Sequence, residues 1–396
     1  MDKFLAPGPP PATKLGEYRA LSSRAGVHVS PLCLGAMSIG ESNDVWTGVM
    51  GSAMTKEKSF ELLDAYFDMG GNFIDTANGY QDETSEQIIG AWIEARKNRD
   101  QVVLATKYTT HYKVRDPAIK NKVNYVGNNV KSMRLSVEAS LEKLRTSYID
   151  LLYVHWWDYE TSVEEVMDGL HNLVVAGKVL YLGISDAPAW VVAQANTYAK
   201  AYGKTPFVVY QGQWNIMARS FERDIIPMAR SFGIALAPWG VIGGGRLRTD
   251  AEEKRRLESG DKGRGGDAWQ RTQAEITVSH ALEKVAGELG VKSITSGELT
   301  QTLIVAIAYV MQKTTHVFPI IGGHKVEHLK DNLEALDITL SAQQIEYLES
   351  VSEFDPGFPN TIIGDGTYIS PIMRPGATIV KHPLPKPITA STAPSR

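Results

Sequence analysis

Asp75, Tyr80, Lys107 and His155 are a carboxylate, a phenol, an ammonium and an imidazole, and each stands at or just beyond the end of an otherwise apolar run. Asp75 closes Asn72-Phe73-Ile74-Asp75, with Tyr80 in the loop that follows. Lys107 ends Leu104-Ala105-Thr106-Lys107, and His155 ends Tyr153-Val154-His155. A charge at the end of an apolar run is costly unless partnered, so Asp75 and Lys107 are expected to pair. A free phenol titrates near about 10, too high for ready proton transfer at neutral pH, and a close ammonium favours the phenolate and lowers that value. Lys107 is therefore expected to tune Tyr80, Asp75 to hold Lys107 charged, and His155 to bond and orient a substrate oxygen. Beside a hydride donor, such a set reduces a carbonyl.

These residues work together only if the fold gathers them. Short β-branched and apolar runs at 31–34, 72–76, 101–107, 148–155, 179–185, 207–213, 234–239 and 316–321 alternate with helical periodicity near 56–69, 84–97, 128–146, 161–176, 187–203, 220–232 and 297–312, with a further helix after 325. Pro188 sits where a helix should start, and Gly70, Gly177, Gly203 and Gly233 where helices should stop. Strict strand–helix alternation of this length predicts an α/β fold, a closed (β/α)8 TIM barrel, with an open doubly wound sheet as the competitor. The open sheet's dinucleotide fingerprint is missing: the first turn reads Gly35-Ala36-Met37-Ser38-Ile39-Gly40, and Gly243-Gly244-Gly245-Arg246 follows the seventh strand without the spaced third glycine. In a barrel, strand C-termini face one mouth, which would bring the four residues together. One barrel domain is expected over 1–352, including an N-terminal arm and hairpin over about 1–30. An insertion over 243–297 follows strand seven, and a Pro/Gly-rich C-terminal extension over 353–396 is expected to pack on the barrel.

Composition narrows the function classes. Apolar residues at 43% and charged residues at 22% suit a globular chain with a sizeable core. With 41 Lys+Arg against 45 Asp+Glu, the net charge of −4 offers no basic excess for nucleic acid or an anionic membrane. The single cysteine, Cys33, forms neither an intrachain disulfide nor a Cys-based zinc cage, and no metal-ligand spacing appears. The longest apolar run, 303–311, falls well short of the roughly 20 residues of a membrane span, and no charged-then-apolar leader opens the chain. A cytoplasmic address is expected.

Asp75-Thr76-Ala77-x-x-Tyr80, Thr106-Lys107 and Tyr153-Val154-His155 resemble the catalytic motifs of the aldo-keto reductases. The longer strings Pro31-Leu-Cys-Leu-Gly-Ala-Met-Ser-Ile-Gly, Asn72-Phe-Ile-Asp-Thr-Ala-Asn-Gly-Tyr-Gln-Asp-Glu-Thr-Ser-Glu, Arg145-Thr-Ser-Tyr-Ile-Asp and Gly364-Asp-Gly-Thr-Tyr are similar to the fungal aryl-alcohol dehydrogenase and norsolorinic acid reductase branch. That resemblance implies a (β/α)8 barrel, NADPH/NADP+ as cofactor, and Asp75, Tyr80, Lys107 and His155 as the catalytic tetrad. It implies that Ser185 and Gln211 bond the nicotinamide amide, that Trp239 stacks on its ring, and that Gly240, Gly243, Gly245, Arg246 and Leu247 approach the pyrophosphate. Gly323, His324, Lys325 and Asn332 would take the adenosine phosphate end, with His324 standing where relatives commonly carry arginine. Trp46, Met50, Trp156 and Trp157 are candidates for an aromatic substrate wall. The resemblance also implies that the extension, with Phe354, Phe358, Ile362, Ile363, Tyr368 and Ile369, returns toward the open mouth. The expected activity is NADPH-dependent reduction of aromatic aldehydes or ketones to alcohols. The alternative is an NADPH-binding barrel that acts as a slow-turnover, redox-sensing regulatory subunit.

Overall fold

The computed structural model describes residues 6, 8–41, 53–260, 269–291 and 301–391. A hairpin of β1 (Arg19–Ser22) and β2 (Ala25–Val29) comes first. Eight parallel strands follow: β3 (Cys33–Gly35), β4 (Phe73–Asp75), β5 (Val103–Tyr108), β6 (Ile149–Val154), β7 (Val179–Ser185), β8 (Phe207–Gln213), β9 (Ala235–Trp239) and β10 (Ile320–Ile321). They hydrogen-bond in the order β10-β3-β4-β5-β6-β7-β8-β9. Leu236 closes the ring, since its N–H donates to the His316 carbonyl at 2.9 Å and its own carbonyl accepts from the Phe318 N–H at 2.8 Å.

Period-two alternation makes one strand serve two cores. Inward-facing Phe73, Val103, Ala105, Leu151, Tyr153, Val209, Ala235 and Ala237 form a cluster inside the barrel, joined by Leu21, Ala25 and Val29 of the hairpin. The hairpin therefore plugs the barrel's N-terminal end. Outward-facing Ile74, Leu104, Leu152, Val154 and Ile184 belong to the larger layer between strands and helices. Counting two residues on from the inner cluster gives Asp75, Lys107, His155, Gln211 and Trp239, the layer at the opposite end.

Outside the strands lie α1 (Lys56–Asp68), α2 (Thr84–Arg96), α3 (Val130–Lys143), α4 (Val163–Val175), α5 (Ala189–Ala201) and α6 (Ile225–Phe232). Side-chain caps start several of them: Thr55, Asn129 and Ser162 each accept from the third backbone N–H of their helix. Gly233, at φ 66°, ends α6 in the left-handed conformation that glycine adopts freely. The insertion after β9 holds α7 (Asp250–Ser259), which is the charge run seen in the sequence, and α8 (Gln273–Glu288). The seventh barrel helix, α9 (Gln301–Lys313), precedes β10, and α10 (Val326–Leu333) and α11 (Ala342–Ser350) follow it. No described helix is long and apolar enough to cross a membrane.

The extension lies against the connection after β8 and along α6. The Phe354 ring packs against the Arg219 and Arg223 guanidinium groups, 4.6 and 5.2 Å from its centroid. Arg223 Nε donates to the Asp355 carbonyl at 2.8 Å, and Arg230 faces Asp365 at 3.5 Å. Phe358, Ile362, Ile363 and Tyr368 stay exposed.

Candidate active site

The end layer opens into a cavity of about 750 Å³ lined by Asp75, Tyr80, His155, Gln211 and Trp239 among others. Lys107 lies beneath it, fully buried, and its Nζ donates to Asp75 Oδ2 at 2.5 Å, the Thr76 carbonyl at 2.8 Å and Tyr80 Oη at 3.2 Å. Three donors meet three acceptors, so this ammonium is satisfied without water. Gln211 holds the second oxygen of Asp75, donating from Nε2 to Oδ1 at 3.0 Å. Parity explains the meeting: Asp75 stands level with Ala105 on the neighbouring strand, and Lys107, two residues further along, reaches back across the inner face.

Burial works against the Lys107 charge, but Asp75 and Tyr80 together outweigh it and hold the ammonium above its ordinary value. For Tyr80 the balance runs the other way. Burial raises the phenol, Lys107 pulls it down, Asp75 pushes it up again, and the net direction is upward. The expectation that Lys107 would lower the phenol overall is therefore corrected: the ammonium only offsets desolvation, and Tyr80 stays protonated, the form a general acid needs.

His155 is neutral, because burial and then the Lys107 charge lower it to about 3. Its Nδ1 lies 3.0 Å from Thr110 Oγ1, which also accepts from the Trp156 indole N–H at 3.1 Å. An indole only donates, so the Thr110 hydroxyl keeps its own proton available for Nδ1, and a bond in that direction puts the imidazole proton on Nε2. The His155 and Tyr80 rings meet edge to face at 5.9 Å. Two proton-bearing groups, a phenol and an imidazole N–H, thus border one cavity beside a buried ammonium, an arrangement fitted to hold and protonate a carbonyl oxygen.

The residues assigned to the cofactor divide into three groups. Ser185 is buried at the end of β7, and Gln211 and Trp239 line the cavity from the ends of β8 and β9. Gly240, Gly243, Gly244, Arg246 and Leu247 continue the lining; Gly240, Gly243, Gly244 and Gly245 have φ of 68°, 61°, 64° and 84°, a run that only glycine adopts without strain. Gly323, Lys325 and Asn332 surround a small crevice that shares Gly322 with the cavity, and Lys325 stands at the start of α10, one residue after His324. Of the substrate-wall candidates, Trp156 is part-exposed and serves Thr110, whereas Trp157 is buried in the core between strands and helices. Trp46 and Met50 fall outside the described residues. Among the described residues the cavity lining runs from Gly35 to Gly322 and includes none of the extension.

Sequence reasoning missed Thr110, Asp186, Gln213, Asn215, Met217 and Glu275, all at the cavity wall. Glu275 pairs with Arg246 at 3.1 Å while capping α8 from its third position. Its signal, Thr272-x-x-Glu275, is a legible capping box, but nothing in it announces an ion pair across the insertion. Among the described residues no cluster of His, Cys, Asp or Glu suits a metal ion.

Comparison with known proteins gives a match to the aldo/keto reductase family over residues 31–353. An aryl-alcohol dehydrogenase [NADP(+)] of Phanerodontia chrysosporium is 56% identical over 97% of this chain and 98% of its own length. Aldo-keto reductase ausK of Emericella nidulans is 51% identical over 91% of this chain and 88% of its own. A norsolorinic acid reductase of Aspergillus flavus is 50% identical over 90% of this chain and 86% of its own.

Proposed function

This chain belongs to the aldo/keto reductase family and is an NADP-dependent enzyme, and from that premise we propose that it reduces aromatic aldehydes or ketones, with Asp75, Tyr80, Lys107 and His155 as its catalytic residues. The observation that carries the assignment is the Lys107 ammonium bonded at once to Asp75, the Thr76 carbonyl and Tyr80 at the cavity floor.

The cavity suits the cofactor. Beside Trp239 it has a run of glycines in left-handed conformations, whose peptide N–H groups can approach a pyrophosphate closely. Arg246 and Lys325 supply cationic donors for phosphate further along. When bound, the nicotinamide supplies hydride. The chain's own residues do the rest: Ser185 and Gln211 orient the amide, Trp239 covers the ring, His155 Nε2–H holds the carbonyl oxygen, and the Tyr80 hydroxyl gives it a proton. The phenolate left behind is stabilised by Lys107, whose own charge Asp75 maintains. The relatives named for aryl alcohols and norsolorinic acid support an aromatic substrate, and Met37, Met217 and Trp239 give the cavity an apolar side for one.

Tyr80→Phe tests the assignment, because it removes one hydroxyl and leaves the aromatic packing. Turnover of an aryl aldehyde with NADPH should fall about 100-fold or more, while NADPH affinity stays near that of the unmodified protein. Near-normal turnover in this variant refutes the role of Tyr80.

A further inference from the structure

Of the charged side chains that line the cavity, Asp186, Arg246 and Glu275 take no part in the proton relay, and Arg246 and Glu275 pair with each other. Asp186 follows Ser185 at the end of β7, in the left-handed region at φ 43°, a backbone state that is costly outside glycine and tends to mark functional sites. Its amide donates to the Gln211 carbonyl at 3.0 Å. Its carboxylate accepts from Ser185 Oγ at 3.2 Å and from Trp239 Nε1 at 3.3 Å. The ends of β7, β8 and β9 thus hold one carboxylate at the cavity wall.

A charge count around it is unbalanced. Asp75 and Lys107 cancel as a pair, His155 is neutral, and Arg246 is matched by Glu275. Asp186 forms no ion pair within 4 Å among the described residues, so the inner end of the cavity carries net negative charge. Burial raises the Asp186 carboxyl, while the Ser185 and Trp239 hydrogen bonds and the Lys107 charge favour its ionised form, and its charge in turn raises Tyr80 across the same cavity.

We propose that the Asp186 carboxylate is the counter-charge for the oxidised nicotinamide ring, shifting the site's relative affinity toward NADP+ over NADPH and so favouring release of hydride. This rests on the functional reading above. In that reaction the ring's C4–H bond breaks, and its hydrogen moves with the electron pair to the carbonyl carbon. The carbonyl π pair passes to oxygen, which takes the Tyr80 proton. The neutral ring ends as a cation and the phenol as a phenolate. Lys107 stands beside the new anion, and the matching charge for the new cation is Asp186. A ring that gives hydride to a carbonyl held by Tyr80 sits in van der Waals reach of that carbonyl. It therefore shares the cavity whose wall Asp186 forms, and in the functional reading above it lies against the same Ser185 and Trp239 to which the carboxylate is bonded.

Calorimetric titration of the full chain with NADP+ and with NADPH separately tests this without turnover. Asp186→Asn keeps the shape and removes the charge. Asp186→Gly removes the charge and also relieves the positive φ, so it remains informative if the first variant folds poorly. In both, the ratio of the NADPH Kd to the NADP+ Kd should fall about tenfold, chiefly through weaker NADP+ binding; a tenfold change corresponds to about 1.4 kcal/mol. If both affinities change by the same factor, or neither changes, Asp186 is a structural residue and the inference is overturned while the functional reading stands. If the unmodified protein binds neither form, both fall.

Discussion

Replacing Lys107 with methionine separates a structural ion pair from a catalytic one, because the two roles fail differently. The side chain is fully buried and Asp75 is 3% exposed, so Lys107→Met leaves a carboxylate shut away from water with Gln211 as its remaining side-chain donor. Breaking a buried pair from one side costs about 3–5 kcal/mol, because the surviving charge is uncompensated. For a chain of this length, that corresponds to a fall in Tm of about 5 °C. Adding Asp75→Asn removes the stranded charge, so the double variant should recover most of the lost stability, with a coupling between the two sites of about 2 kcal/mol or more. Activity should not recover. Tyr80 loses the ammonium that offsets its desolvation and stabilises its phenolate, and kcat should stay about 100- to 10,000-fold down in both variants. Thermal melts and steady-state NADPH oxidation on the two singles and the double complete the cycle. Return of turnover with stability in the double variant would refute a catalytic role for Lys107, and a single Lys107→Met as stable as the parent would refute the account of the buried pair.

Two further expectations follow from the geometry. His155 takes up a proton in the folded state only near pH 3, against about 6.5 in an unfolded chain, so between these values the unfolded state binds more protons. Its contribution to stability is therefore complete above about pH 6.5 and is lost as the pH falls toward 3. The pH–rate profile should show no imidazole limb between pH 6 and 7, and a limb there that disappears in His155→Asn counts against a neutral histidine. Ending the chain after Val351 removes the packing of Phe354 on Arg219 and Arg223 and the Asp365 contact, which lie outside the cavity. Truncation should lower Tm by a few degrees and reduce kcat/KM for large and small aldehydes alike, and a loss confined to the larger substrate contradicts that placement.

The eight strands, the hairpin and the insertion were legible because each depends on local pattern: runs of apolar residues, glycine stops and a break in periodicity. The edges were less so. The last strand was expected over 316–321, yet only Ile320–Ile321 pair as a strand with β3, while the segment from His316 to Phe318 closes the ring through Leu236. The extension's apolar residues pointed toward a covered surface, but Phe358 and Ile362 lie exposed and Phe354 is held by two arginines. Composition reports that a segment has something to bury. It does not report which guanidinium will cover it.

The same distinction explains which site residues could be found. Inside a closed barrel an inward-facing position is apolar until the strand reaches the mouth, so a polar residue that continues the inward alternation marks the layer that borders the cavity. Phe73 leads to Asp75, Ala105 to Lys107, Tyr153 to His155, Val209 to Gln211 and Ala237 to Trp239, and all but Lys107, buried at its floor, line the cavity. Thr110, Asp186 and Glu275 lie past the strand ends, where the period of two no longer constrains the direction of a side chain. Each owes its place to a tertiary contact: Thr110 to His155 and Trp156, Asp186 to Ser185 and Trp239, Glu275 to Arg246. Asp75, Lys107 and His155 therefore sit on the layer that strand geometry dictates, with Tyr80 on the turn that directly follows β4, whereas Thr110 and Asp186 sit on loops and Glu275 on the first turn of α8. Substitutions in the first set should abolish chemistry, and substitutions in the second should retune affinity and direction while the barrel stays intact.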